Sequence, residues 1–230
     1  MEATKEMEKR VEKNPATLDQ SAKQKQKSKW LYLAVKRLFD IVLSVLGIAV
    51  AAIPMLIIAL IIRVESPGPA IYLHQRVGKN GKPLRLLKFR SMYVNADEMI
   101  KEFTPEQQAE WEANFKLEND PRITRVGRFL RRSSLDELPQ LVNVLMGGLS
   151  LVGPRPVVQE ELEKYKNEKD KFLSVTPGLT GYWQAYARSA CTYEKRMQME
   201  LYYVDNANLW WDIKILFATV GAVLHCKGAQ

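Results

Sequence analysis

Residues Ile41–Ile62 read IVLSVLGIAVAAIPMLIIALII, 22 consecutive residues without a charge. An α-helix rises about 1.5 Å per residue, so a run of this length reaches across the ~30 Å hydrocarbon layer of a bilayer. It counts as a membrane segment rather than a core helix. It begins some 40 residues into the chain, and no small-residue cleavage pattern precedes the RVESPGP that follows. The segment is therefore expected to remain in the mature protein rather than to leave as a signal peptide.

The flanks restrict how the run meets a membrane. Between Gln20 and Arg37 stand six basic residues, Lys23, Lys25, Lys27, Lys29, Lys36 and Arg37, and no acid, a composition suited to anionic headgroups. Basic residues also follow the run, at Arg63, Arg76, Lys79 and Lys82. The positive-inside rule cannot favour both flanks of a straight span. Pro54 lies within the run and removes one helical hydrogen bond. A re-entrant helical hairpin, entering and leaving at one face, keeps both flanks cytosolic, and it is favoured over a kinked spanning helix.

Over all 230 residues the formal charge is +8 and the pI about 9.4, so anionic partners are expected. Nucleic acid is excluded as the partner, because the arginine run of residues 122–132 is interleaved with a single aromatic, Phe129. Cys191 and Cys226 are far apart and His74 and His225 are the only histidines, which argues against a disulfide framework, a zinc site or a histidine relay. Both histidines read as packing or surface residues.

Three regions follow: residues 1–37, a basic and largely disordered extension; residues 38–62, the re-entrant membrane helix; and residues 63–230, a cytosolic domain. Within the last, Ala70–Gln75 and Leu84–Phe89 flank Asn80-Gly81 and predict a β-hairpin. Ala96–Leu117 is charged and favours a helix, broken at Asn119-Asp120-Pro121. Leu138, Leu141, Val142 and Leu145 recur at offsets 0, 3, 4 and 7, the spacing of an amphipathic helix. A charged helix is expected over Gln159–Leu173, and TPGLTGYWQAYAR reads as loop. The last apolar stretch, NLWWDIKILFATVGAVLHCKG, is interrupted by Asp212 and Lys214 and reads as interfacial. The fold class is helix-rich α+β, combining the membrane hairpin with a catalytic domain that holds a small β-hairpin and interfacial amphipathic helices.

Between these elements stands RRSSLDELPQ (Arg131–Gln140), where two adjacent acids, Asp136 and Glu137, precede a helix. Two readings compete. Ser134 and Glu137 have the S-x-x-E spacing of a capping box, and acids in a first turn complement the helix dipole. Alternatively the pair is catalytic, because Arg122, Arg125, Arg128, Arg131 and Arg132 precede it without an intervening acid, and guanidinium groups suit bidentate phosphate binding. Arg125 and Arg128 serve equally well as a basic face on anionic lipid. Arg155 is fixed between Pro154 and Pro156, and Lys88 and Arg90 are two residues apart, so on a strand they share a face. Carboxylates beside clustered cations suit Mg²⁺, which binds one or two carboxylates together with substrate phosphate oxygens. Neighbouring helical residues project about 100° apart, so one acid can hold metal while the other attacks phosphorus. These residues point to a membrane-bound phosphoryl transferase.

KRLFD (Lys36–Asp40), SPGPAIYLHQRVGKNGKPLRLLKFRSM, RRSSLDELPQLVNVLMGGLSLVGPRP, PGLTGYWQAYAR and YYVDNANLWWDIKIL occur here in one order. In that order they resemble the bacterial sugar transferases, the monotopic phosphoglycosyl transferases that initiate polysaccharide or glycan assembly. The resemblance covers nearly everything after residue 35. It implies transfer of a sugar 1-phosphate from a nucleoside diphosphate sugar, expected to be a UDP-sugar, to a polyprenyl phosphate with Mg²⁺. It also implies a re-entrant hairpin, with a homodimer as the candidate assembly. By the same resemblance Asp136 is the nucleophile and Glu137 the metal ligand, Arg155 contacts phosphate, and Lys88 and Arg90 belong to the KFR motif. Arg131 and Arg188 match basic positions near the site, and Asp212 a frequent family acid with a structural role. Relatives often carry glycine where Ala187 precedes Arg188. The rival reading is a non-enzymatic, membrane-anchored basic scaffold.

Overall fold

The computed structural model describes residues 15–114, 117, 119–187 and 191–224. Residues 1–14 of the expected extension, Arg188, His225 and Cys226 lie outside the described residues. The chain divides into two units, Met1–Phe39 and Asp40–Gln230. Helix α1 (Pro15–Glu65) contributes residues to both. After it come β1 (Ile71–Val77), β2 (Pro83–Phe89), α2 (Pro105–Asn114), α3 (Arg125–Ser133) and α4 (Gln140–Leu145). These are followed by β3 (Ser150–Val152), α5 (Gln159–Leu162), α6 (Lys169–Leu173), β4 (Gly178–Thr180), α7 (Tyr182–Tyr186), α8 (Tyr193–Asn206) and α9 (Leu209–Leu224). Among the described residues the strands form two two-stranded sheets, so the fold is helix-rich α+β.

Within the second unit α1 engages the domain along one stripe. Asp40, Ser44, Gly47, Met55, Ile58, Ile62 and Glu65 recur at helical spacing. Buried Asp40 accepts the Leu151 N–H at 2.9 Å and the Ser150 hydroxyl at 3.2 Å. Met55, Ile58 and Ile62 pack with Phe89 and Leu130. Glu65 accepts the N–H groups of Arg125 at 2.9 Å and Val126 at 3.1 Å, two donors of the α3 first turn that have no partner inside that helix. The other faces of α1 are bare: Val50, Ile53, Leu56 and Val64 are 62 to 86% exposed. Burying such a side chain is worth roughly 1.5–3 kcal/mol, so a helix that leaves them open is built for an apolar surrounding. The stretch Lys29–Glu65 is long and apolar enough to cross a membrane. The helix runs through Pro54 without a break.

The expected hairpin forms, with β1 and β2 antiparallel and Ile71 opposite Phe89. Asn80 and Gly81 turn the chain at φ 55° and 74°. The charged stretch Ala96–Leu117 is not one helix. A 3₁₀ segment, Glu98–Glu102, ends before Thr104, whose hydroxyl accepts the Gln107 N–H at 3.3 Å while Gln107 Oε1 accepts the Thr104 N–H at 3.0 Å. This capping box, with Pro105 at the first helical position, starts α2 afresh. Gln159–Leu173 is likewise divided, because Lys166 adopts φ 47°, ψ −119° within the 3₁₀ segment Glu163–Glu168 between α5 and α6.

TPGLTGYWQAYAR, expected as loop, supplies β4 and α7 instead. Strand β4 pairs in parallel with β3, and the backbones are so close that a Cβ on Gly178 would meet Gly153 N at 2.1 Å. The close approach depends on two glycines from separate segments. Around the sheets, Leu84, Leu86, Val144, Leu149, Leu151, Val152, Tyr203 and Ile215 form one core, and Val77, Val157, Leu162, Tyr165 and Phe172 a second. Asp212 is buried and accepts the Tyr203 hydroxyl at 2.6 Å, which ties α9 to α8 and gives this acid the structural role implied by resemblance.

Gly178→Ala is expected to cost about 1–3 kcal/mol of folding stability, because the added carbon overpacks the β3–β4 contact. Gly221→Ala in α9, where no atom lies within 4 Å of the added carbon, is expected to be neutral or to gain up to about 1 kcal/mol from helix propensity. Denaturant unfolding of the two purified variants checks both signs.

Candidate active site

Helix α4 reaches the hairpin through a side chain. Asn143 Oδ1 accepts the Leu87 N–H and Asn143 Nδ2 donates to the Arg85 carbonyl, both at 2.8 Å. A carboxamide thus pairs with β2 as a neighbouring strand would. The α4 face this buries is Gln140, Asn143 and Val144, whereas Leu145 of the expected apolar stripe is exposed. Leu138 and Leu141 of that stripe do pack against the cores; the periodicity missed Asn143 because it ranks it as polar and cannot register its pairing with a strand edge.

Immediately before α4, Leu135–Glu137 forms a single 3₁₀ turn. The expected capping box is absent. Ser134 adopts the left-handed conformation, φ 57°, and closes α3, its N–H donating to the Arg131 carbonyl at 3.2 Å. Glu137 turns instead to the hairpin, where Lys88 Nζ donates to its Oε1 at 2.7 Å and lies 3.6 Å from Asp136 Oδ2. One ammonium therefore joins both acids.

The two carboxyls differ. Asp136 is 8% exposed, and burial together with the charge of Glu137 raises its pKa above the ordinary aspartate value against the pull of Lys88 and Arg131. Burial pushes Glu137 the same way, but Lys88 and Arg155 outweigh it and hold its pKa below the usual glutamate range. Among the described residues, Lys88 is the cation within ion-pair reach of either acid.

Glu137 opens onto a cleft lined also by Arg76, Leu86, Lys88, Gln140, Arg155, Pro156, Gly178, Leu179 and Gln184. Arg155 is positioned by its backbone. Its N–H donates to buried Glu200 at 3.4 Å, and the neighbouring Pro154 carbonyl accepts the Gly178 N–H at 2.9 Å. Glu200 also accepts the Tyr165 hydroxyl and Arg196 Nε. Behind the cleft Glu161 lies 3.7 Å from both Arg76 and Arg196.

Of the residues singled out in the sequence, Asp136, Glu137, Lys88 and Arg155 are brought together. Arg131 is close by, its Nε donating to Ser91 Oγ at 2.8 Å and its charge acting on Asp136. Arg90 goes elsewhere: it lies one residue past β2, is buried, and donates to the carbonyls of Ser66 and Pro67. Gly68 accommodates it, since a Cβ there would meet Arg90 Nη1 at 2.6 Å. Arg122 of the arginine run is paired bidentately with Asp120 at 2.8 and 2.7 Å and stacks over Trp111, so it is structural. Arg125 and Arg128 are exposed. Arg76, Gln140 and Glu200 were missed; for Arg76 the two-residue turn signalled by Asn80-Gly81 points it to the face away from Lys88, whereas the observed register sets it opposite Leu84.

Among the described residues no third histidine, cysteine or acid joins the pair in a metal-binding group. Two carboxylates fit Mg²⁺, a cation that completes its shell with water and substrate phosphate oxygens.

The described residues thus combine a helix long and apolar enough to cross a membrane with an α+β domain whose acid pair lies beside a cationic cleft. The chain belongs to the bacterial sugar transferase family, whose profile matches residues 31–226. It is 50% identical over 198 residues to an undecaprenyl-phosphate galactose phosphotransferase of Salmonella typhimurium, covering 85% of this chain and 41% of that protein. An Escherichia coli UDP-glucose:undecaprenyl-phosphate glucose-1-phosphate transferase is 40% identical, over 81% of this chain and 39% of its own length. The chain therefore spans about two fifths of these relatives. The exopolysaccharide production protein ExoY of Rhizobium meliloti is 41% identical, over 84% of this chain and 87% of its own length.

Carboxyl-carbon NMR titration of labelled protein is expected to find Asp136 titrating above, and Glu137 below, their ordinary values. Lys88→Met removes a cation that favours both charged forms, so both pKa values should rise.

Proposed function

We propose that the chain transfers a sugar 1-phosphate from a nucleoside diphosphate sugar to a polyprenyl phosphate, releasing nucleoside monophosphate. This would be the first membrane step of polysaccharide or glycan assembly. The carrying observation is the Asp136–Glu137 pair on Lys88 at the mouth of the Arg155 cleft, and the activities for which the relatives are named support the same chemistry. UDP is the expected nucleotide, by analogy with the Escherichia coli relative.

Asp136 is the nucleophile. Glu137 takes the shorter contact with Lys88, so Asp136 keeps more of its lone-pair density, and its raised pKa makes it the more basic carboxylate. A carboxylate oxygen attacks the phosphorus that carries the sugar, a phosphorus–oxygen bond of the diphosphate breaks, and nucleoside monophosphate leaves with the electron pair. An oxygen of the polyprenyl phosphate then attacks the acyl phosphate and returns Asp136 to its anionic form. Lys88 orients both acids and offsets charge that builds on the transferring group, while Arg155 binds phosphate oxygens. Arg131, acting on Asp136, helps to keep it ionised, and Arg188 is assigned to the nucleotide side by resemblance alone. Glu137 would hold Mg²⁺, which when bound supplies charge neutralisation of the phosphate oxygens.

Residues 38–62 form the membrane segment and residues 63–230 the catalytic domain on the cytosolic face. The re-entrant topology rests on the basic flanks and Pro54, and α9 lies in the interface with Trp210 and Phe217, both exposed, towards lipid. A cysteine at either end of the chain should then resist an impermeant reagent in intact cells. Labelling of one end alone indicates a spanning helix.

A two-step reaction predicts ping-pong kinetics. Donor plus Mg²⁺, without lipid acceptor, should release nucleoside monophosphate in a burst of at most one equivalent. Asp136→Asn retains size and should lose the burst. Arg155→Ala should cost about 2–4 kcal/mol in kcat/KM, the magnitude for one preorganised donor. A folded Asp136→Asn protein with parental turnover removes the nucleophile assignment, and a chain without turnover on any nucleotide sugar favours the scaffold reading.

A further inference from the structure

The cleft contains more cationic and donor groups than the acid pair engages. Lys88 is occupied by Asp136 and Glu137. Arg155, which lines the same cleft, forms no ion pair among the described residues, and its guanidinium lies over the Trp183 ring at 5.9 Å. Among the described residues Arg76 pairs with Glu161, at 3.7 Å, and shares that carboxylate with Arg196. Gln140 is 3% exposed and lines the cleft beside Glu137, with its amide bearing on that carboxylate. The surrounding field is positive as well: burial, then Arg76, Lys88 and Arg155, bring the His74 pKa down to about 4.

These groups come from three segments. The hairpin register sets Arg76 opposite Leu84, on the face that carries Lys88. Gln140 stands one turn after Glu137, and Arg155 is fixed between two prolines. Two guanidiniums and one carboxamide, in a cleft whose lysine is already taken, offer more donors than a single phosphate requires.

We infer that Arg76 and Gln140 complete, with Arg155, a cradle for a diphosphate group. Its assignment to the diphosphate of the sugar donor rests on the transferase reading above. Arg76 and Gln140 grip the diphosphate, which leaves Lys88 and the acid pair for the phosphorus under attack.

The test is binding of methylenediphosphonate and of methylphosphonate to the full-length protein in detergent, by calorimetry. The diphosphonate should bind the parent at least about tenfold more tightly than the monophosphonate. Arg76→Gln should remove most of that preference with little effect on the monophosphonate, and Gln140→Leu should reduce it. The exposed-residue control Arg128→Gln should keep it. Arg76→Lys retains the ion pair with Glu161 and so guards against a folding defect; without the guanidinium fork it should still lose about fivefold. Parental preference in folded Arg76→Gln and Arg76→Lys proteins overturns the cradle, as does equal weakening for both ligands. Turnover of nucleotide sugars is measured on the same preparations. Inactivity of the parent with the preference intact refutes the transferase reading while upholding the cradle, and activity without the preference does the reverse.

Discussion

Lys88 is the cation on which the site depends. Two adjacent carboxylates in a partly buried turn repel one another and resist ionisation, and one ammonium, 2.7 Å from Glu137 and 3.6 Å from Asp136, offsets both effects. The unequal distances separate the two acids chemically: Glu137 is held anionic, and Asp136 stays the more basic. This division of roles requires the end of β2 to meet the turn before α4, and Asn143 supplies that junction by pairing with the β2 backbone. Ser134, by closing α3 in the left-handed conformation, turns the chain so that the acids follow directly.

The opposite wall is built from backbone rather than charge. Gly153 and Gly178 let β3 and β4 approach to distances that exclude any side chain, and this holds the Pro154-Arg155-Pro156 segment against the cleft. Glu200, buried beneath it, accepts the Arg155 N–H and, with Tyr165 and Arg196, fills space that a smaller residue would leave open. Helix α1 is joined to the same frame, since Asp40 binds the backbone of β3 and Glu65 binds the start of α3. The apolar helix and the site are therefore mechanically continuous within the second unit.

Local signals in the sequence were legible. The uncharged run, the turn at Asn80-Gly81 and the acids at a helix start each depend on neighbours a few residues apart. Pairings between distant segments were not. A two-residue turn at Asn80-Gly81 would set Arg76 opposite Arg85, facing away from Lys88. Pairing of Gly78 with Lys82 shifts the register by one and returns Arg76 to the Lys88 face. Arg90 and Lys88 have the spacing of one strand face, but the strand ends at Phe89, and Arg90 serves the Ser66-Pro67 carbonyls. TPGLTGYWQAYAR reads as loop because the partner of Gly178 is a glycine in another segment. Thr104-Pro105 was a local signal, a helix start inside a run read as one continuous helix.

The central claim is that Asp136 forms a bond to phosphorus. Acid-quenched protein, incubated with nucleotide sugar and Mg²⁺ but no lipid acceptor, can be digested and mapped by mass spectrometry. The account predicts a sugar-phosphate adduct on the peptide containing Asp136, discharged when polyprenyl phosphate is added before the quench. An active protein that shows no adduct under these conditions, or one on a different residue, contradicts it.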